Sequence, residues 1–173
     1  EIMIIGIGGR SRSGKTTYAE NLDWHYRTNN KTAIALHQDD FVKKLQDIAF
    51  IQDHTDWETP QSIDFNLLIR AIQFLNDDFD LIVVEGILAF ADTELNELYD
   101  CCFFTQISEE TFRIRKAADT RWGEEPVWYI NHIWESFLKY GQPPQNLQSL
   151  MIINGEKPYQ MGEIEEFLRH FGN

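Results

Sequence analysis

Residues Gly9-Arg10-Ser11-Arg12-Ser13-Gly14-Lys15-Thr16 read G-x-x-x-x-G-K-[ST]. The pattern carries meaning only between a strand and a helix. Ile2-Met3-Ile4-Ile5-Gly6-Ile7, just before it, is a short apolar, β-branched run. Thr17-Tyr18-Ala19-Glu20-Asn21-Leu22-Asp23-Trp24, just after it, reads as a helix with Ala19, Leu22 and Tyr26 near one face. The stretch is therefore expected to be a P-loop. Its glycines let backbone N–H groups turn onto phosphate oxygens, and the helix N-terminus adds partial positive charge. Lys15 is expected to reach the terminal phosphates and the Thr16 hydroxyl to hold Mg²⁺. Gly9, Arg10, Ser11, Arg12, Ser13, Gly14, Lys15, Thr16 and Thr17 together form the expected cradle for a nucleoside triphosphate.

The rest of the composition narrows the class. A chain of 173 residues with 43% hydrophobic and 13% aromatic content is long enough for a proper core and reads as one domain, 1–173. No apolar run approaches the roughly 20 residues of a membrane helix. There is no signal-peptide pattern, and a reducing cytoplasm is the expected compartment. Cys101 and Cys102 are adjacent in an apolar run, where successive side chains point to opposite faces, so buried free thiols are expected rather than a disulfide. With 15 basic and 28 acidic residues the net charge is −13, which argues against nucleic acid or an anionic membrane as partner. Against that background two cationic clusters stand out: Arg10, Arg12 and Lys15 in the loop, and Arg113, Arg115, Lys116 and Arg121 further on.

Strand and helix patterns alternate, which predicts a parallel sheet covered on both faces. Strands are expected at residues 2–7, 33–37, 81–85, 102–107 and 150–153, and helices at 15–27, 62–75, 109–120, 127–140 and 162–171. The segment 43–60 has weak periodicity and reads as a substrate-side excursion. Pro143-Pro144 ends the fourth helix.

Ligands of parallel α/β sheets lie beyond the C-terminal ends of the strands. The second strand ends there in His37-Gln38-Asp39-Asp40-Phe41. A kinase needs a carboxylate to accept the proton of the attacking hydroxyl, and Asp39 or Asp40 can supply it, with Asp39 preferred. The third strand, Leu81-Ile82-Val83-Val84-Glu85-Gly86, ends in a carboxylate at the Walker-B position, so Thr16, Asp39 and Glu85 are the candidate magnesium contacts. In Asp56-Trp57-Glu58-Thr59-Pro60 the indole of Trp57 could stack a base or anchor the loop, and an adjacent carboxylate could accept two ribose hydroxyls. The basic residues of 109–121, followed by Trp122-Gly123-Glu124-Glu125-Pro126, suggest a lid over the phosphates at about 113–126. His25, His37, His54, His132 and His170 show no metal-ligand spacing. On the fourth helix, His132 reads as structural, and Trp128, Tyr129, Ile133, Trp134 and Phe137 as core.

Taken in order, the P-loop, His-Gln-Asp-Asp-Phe, Trp-Glu-Thr-Pro, Val-Val-Glu-Gly and the arginine-rich lid resemble the uridine kinase and nicotinamide riboside kinase group of P-loop kinases. Gln38-Asp39-Asp40-Phe41, and His132-Ile133-Trp134 through Leu138-Lys139-Tyr140, are more similar to the second branch. The resemblance implies a three-layer α/β/α sandwich with a five-stranded parallel sheet ordered 2-3-1-4-5. It implies ATP and Mg²⁺ as the phosphoryl donor system and a nucleoside 5′-hydroxyl as acceptor. Asp39 would be the general base, Trp57 would stand against the base, and Glu58 would stand where the group usually has Asp gripping ribose. Thr16 and Glu85 would support Mg²⁺, and Arg115 and Arg121 would act with Lys15 on the transferring group. Rival readings are a kinase for another small hydroxyl compound, such as pantothenate or a sugar, and a nucleotide-dependent switch. The switch class reads guanine with Asn-Lys-x-Asp, which does not occur here. A sugar phosphate would want an extra basic pocket, and none is visible near residues 56–60.

Overall fold

The computed structural model describes residues 2–159 and 161–171. Five strands form one parallel sheet: β1 (Met3–Gly9), β2 (Ala33–His37), β5 (Leu81–Glu85), β6 (Cys101–Gln106) and β7 (Leu150–Asn154), in the spatial order β2-β5-β1-β6-β7. Counted in chain order within the sheet this is 2-3-1-4-5, as the resemblance implies. The helices are α1 (Lys15–Thr28), α2 (Phe65–Leu75), α3 (Thr93–Leu98), α4 (Glu109–Ala117), α5 (Val127–Tyr140) and α6 (Met161–Leu168). Among the described residues no helix is long and apolar enough to cross a membrane.

The alternation of strand side chains builds the two outer layers. Ile5, Ile7, Leu81, Val83, Cys101 and Phe103 face one way and pack on Tyr18, Ala19 and Leu22 of α1 and on Ile164 and Leu168 of α6. Ile4, Ile82, Val84, Cys102 and Phe104 face the other way, onto Leu68, Ile69 and Ile72 of α2, Leu95 of α3 and Phe137 of α5. The run of apolar residues in the central strands is thus buried on both faces, as a parallel sheet requires. Cys101 and Cys102 go to opposite layers, and burial pushes both thiols up to about 12, so they are inert free cysteines. A third cluster, Ile107, Phe112, Tyr129 and Ile133, joins α4 to α5.

Some element boundaries differ from the expected ones. Helix α2 begins at Phe65 rather than at residue 62, because the Asp64 side chain accepts from Leu67 N (2.9 Å) while Pro60–Ser62 forms a 3₁₀ turn. Helix α4 stops at Ala117 rather than at residue 120, and the Asp119 carboxylate takes the Arg121 N–H instead (3.2 Å). Helix α3 has no counterpart among the expected elements; it is a short turn capped by Asp92. The 43–60 excursion contains a small antiparallel hairpin, β3 (Phe50–Ile51) with β4 (His54–Thr55), which turns through Gln52 at φ 52°.

Phe103 is fully buried on β6 and meets Phe167 edge-on, with ring centroids 5.4 Å apart. Phe103→Ala is expected to cost about 3–5 kcal/mol. In urea unfolding this appears as a lower midpoint at unchanged slope.

Candidate active site

The P-loop joins the end of β1 to the start of α1. Gly14 is the N-cap at φ 97°, a left-handed turn that glycine adopts without strain. No side chain caps this helix end and no acid lies in its first turn, so its N–H donors and its dipole are left for an anion. Gly9 is required for a different reason. A Cβ there would run into the Thr105 side chain and Ser13 Oγ. Those two hydroxyls share a short hydrogen bond, and Ser13 Oγ also donates to the Arg10 carbonyl (2.7 Å). Buried Ser13 therefore shapes the loop from beneath.

The loop's cations have separate fates. Lys15 is buried, and its Nζ donates to the Arg10 carbonyl (2.7 Å). Desolvation lowers its pKa, while Glu85, Asp39 and Glu58 pull it back up. The Arg10 guanidinium turns away from the loop's mouth and stacks on α5, 3.5 Å from the Trp134 ring centroid and 4.6 Å from that of Phe137. Burial lowers its pKa to about 10. Its side chain anchors α5, so only its backbone is left to the phosphate cradle. Arg12 is exposed, 4.0 Å from Asp119, and adopts φ 64°.

Beyond the strand ends the sheet register gathers the acids. His37 and Glu85 are partners on β2 and β5, and Glu85 and Ile7 are partners on β5 and β1. Glu85 is buried; its Oε1 accepts from Thr16 Oγ1 (3.1 Å) and from His37 Nδ1 (2.8 Å). A hydroxyl and a carboxylate side by side at a phosphate cradle are the hard oxygen donors that Mg²⁺ prefers. Among the described residues no group of three His, Cys, Asp or Glu forms a complete metal cage.

Asp39 lies in the 3₁₀ turn Gln38–Phe41 that follows β2, with Asp40 beside it. Desolvation raises its carboxyl pKa, Glu85 adds to the shift, and Lys15 opposes it. Asp39, Glu85 and Lys15 thus share one electrostatic neighbourhood. The turn is pinned by buried Gln38, whose Oε1 accepts from Leu88 N (2.9 Å).

Trp57 is 39% exposed. Its neighbours in sequence belong to a polar network. Buried Asp56 accepts from Glu58 N (3.1 Å) and pairs with His132 Nε2 of α5 (2.8 Å). His54 stacks on Tyr129 at 5.2 Å. Buried Lys116 pairs with Glu125 at 3.1 Å. Desolvation pushes the Glu58 carboxyl up to about 7, with Asp56, Glu125 and Asp39 adding to the shift and Lys116 opposing it.

The four cations of the expected lid do not act as one patch. Arg113 pairs with Glu109 (2.7 Å) and with Asn131 (2.8 Å), away from the loop. Lys116 is buried against Glu125. Arg115 bridges the carbonyls of Arg12 (2.9 Å) and Gly155 (3.0 Å), which places it on the nucleotide side. Arg121 is held by Asp119 (2.8 Å) and lies close enough to Asp39 and Lys15 to perturb both electrostatically. Sequence reasoning named Lys116 among the lid cations but missed its pairing with Glu125, and it missed the pairings of His37 with Glu85 and of Asp56 with His132. His37 alone had a usable signal: it ends a strand immediately before the acidic pair.

With this geometry in hand, similarity to known proteins becomes informative. The fold is that of the P-loop kinases. Shikimate kinase from Aquifex aeolicus superposes with a TM-score of 0.52 at 20% identity, covering 99% of this chain and 98% of that one. The chain is similar in sequence to human nicotinamide riboside kinase 1, at 26% identity over 176 residues, covering 89% of this chain and 84% of the relative. It is also 28% identical over 139 residues to uridine kinase of Halalkalibacterium halodurans, covering 66% of this chain and 65% of the relative. No protein-family model matches.

A carboxyl with a raised pKa binds its proton more tightly folded than unfolded. The contribution of Glu58 is therefore full below its ordinary value of about 4.5 and is lost as pH rises to about 7. Glu58→Gln, which stays neutral, is expected to gain on the wild type by about 1–3 kcal/mol between pH 5 and pH 8. Urea unfolding at the two pH values measures the gain, and a pH-independent difference would contradict it.

Proposed function

We propose that the protein is an ATP- and Mg²⁺-dependent kinase that transfers the γ-phosphoryl group to the 5′-hydroxyl of a nucleoside, of the uridine or nicotinamide riboside type. One observation supports this above the others. Asp39 stands at the C-terminal end of β2, within the electrostatic reach of Lys15 and Glu85, so an acceptor-activating carboxylate adjoins the phosphate cradle. The similarity to kinases of nucleosides favours the same acceptor class.

In this reading the loop N–H groups and Lys15 hold the triphosphate. The acceptor lies along Trp57, with Glu58 taking ribose hydroxyls. Asp39 receives the proton of the attacking hydroxyl as its oxygen bonds to the γ-phosphorus and the bond to the β-phosphate oxygen breaks. Thr16 and Glu85 would hold Mg²⁺, which neutralises charge shared by the phosphates when bound. Arg121 and Lys15 meet the charge on the transferring group.

The acceptor side also bears on the choice of substrate. It presents Asp39, Asp40 and Glu58, while Lys116 is engaged by Glu125, His132 by Asp56 and Arg121 by Asp119. That balance favours a neutral or cationic acceptor over a sugar phosphate.

An ATP-consumption assay with Mg²⁺ against uridine, cytidine, nicotinamide riboside, adenosine, pantothenate and ribulose 5-phosphate tests the reading. Turnover of a nucleoside is expected, and Asp39→Ala should lower kcat by about 10²–10⁴-fold with ATP still bound. Turnover of a non-nucleoside alone would keep the kinase and discard the roles given to Trp57 and Glu58.

A further inference from the structure

We propose that His37 is a positioning residue for the carboxylate of Glu85, holding it toward Thr16 so that the pair presents its oxygens together. The inference rests on the reading of Thr16 and Glu85 as the magnesium contacts. His37 is the last residue of β2 and Glu85 the last of β5, and the two are register partners on adjacent parallel strands. Partners in such strands send their side chains out of the same face of the sheet. The two groups are therefore neighbours by construction of the sheet. His37 Nδ1 lies 2.8 Å from Glu85 Oε1, the same oxygen that accepts from Thr16 at 3.1 Å. An ionised carboxylate only accepts hydrogen bonds, so the imidazole proton of this pair lies on Nδ1.

A glutamate at a strand end has several rotatable bonds, and ordering it costs entropy whenever a cation is bound. Two donors on one oxygen meet that cost within the protein. The Thr16 hydroxyl can turn its lone pairs to a cation while its O–H still donates to Glu85. The His37 hydrogen bond does not compete with the cation and remains. Outer partners of metal-holding groups act in this way, and their removal typically costs 10–100-fold in metal affinity. No motif exposes this role. It follows from the pairing of β2 with β5, which brings together residues 48 positions apart.

The test is calorimetric binding of ADP, with Mg²⁺ and with EDTA, to the wild type, His37→Ala and His37→Asn. The ratio of the two dissociation constants is the magnesium-dependent gain. Asparagine places an amide donor close to the position of imidazole Nδ1. His37→Ala is expected to lose about tenfold of the gain with metal-free ADP affinity unchanged, and His37→Asn to recover most of it. Should the alanine variant fail to fold, His37→Leu, which keeps bulk and lacks the donor, takes its place with the same expected loss. Retention of the full gain without the donor would overturn the proposal, as would an equal loss of metal-free ADP affinity or failure of asparagine to restore the gain. A wild type with no magnesium-dependent gain would instead overturn the assignment of Thr16 and Glu85, and the proposal with it.

Discussion

The site depends on the register in which β1, β5 and β2 lie side by side. Met3 to Ile7 pair in step with Leu81 to Glu85, and Ala33 to His37 pair in step with the same residues. The strands consequently end together, and the groups carried at those ends converge. The phosphate loop leaves β1, the carboxylate of Glu85 closes β5, and the turn with Asp39 leaves β2. A slip of one residue on β5 would send Glu85 to the opposite face of the sheet. The ends of the apolar run oppose it: Leu81 and Val83 are fully buried against α1, Ile82 and Val84 against α2, and a slip would draw the flanking carboxylate of Asp80 or Glu85 into that interior. Packing of aliphatic side chains in the sheet's interior thus sets the position of the charged groups at its rim.

The chain is strongly acidic, yet among the described residues it buries Lys15, Lys116 and Arg10, each by different means. Lys15 is buried among Glu85, Asp39 and Glu58, which offset its desolvation. Lys116 is paired directly with Glu125. Arg10 lies on the faces of Trp134 and Phe137. The first arrangement leaves a charge available to a phosphate, because its partners are distributed around the cleft. The second and third use charge to hold elements together. Arg10 ties the loop to α5, and Lys116 ties α4 to the segment before α5. Asp56 and His132 join the 43–60 excursion to that same helix, so α5 braces both the P-loop and the excursion.

Much of this was legible in the sequence because its signals are local. The P-loop spacing, the buried strand ending at Glu85 and the span of α5 each depend on residues within a few positions of one another. Their elements stand where the periodicity places them. Boundaries moved where a side chain competed with the helix, as Asp64 and Asp119 do. The distribution of the lid's basic residues was not legible. A run of like charges reads as one patch, but helical geometry sends Arg113 to Glu109 and Asn131, Lys116 into the interior and Arg115 to the loop. The partners of Asp56 and Glu85 lie 76 and 48 residues away, and only the fold brings them near.

The two remaining lid arginines are held with different firmness, and that difference separates their chemistry. Arg115 donates to two backbone carbonyls, one in the P-loop and one after β7, so it binds fixed points and acts as a bracket between two loops. Arg121 is 61% exposed at its side chain and is held by Asp119 through both carboxylate oxygens. The Asp119 side chain is only 2% exposed, and Arg12 lies 4.0 Å from it. Exchange of that carboxylate for another anion would leave Asp119, sheltered from water, with Arg12 as its nearby cation. The same exchange by Arg115 would leave the Arg12 and Gly155 carbonyls without their donor. Of the two, Arg121 carries the more exposed side chain, and Arg115 ties the P-loop to the segment after β7 through fixed backbone carbonyls.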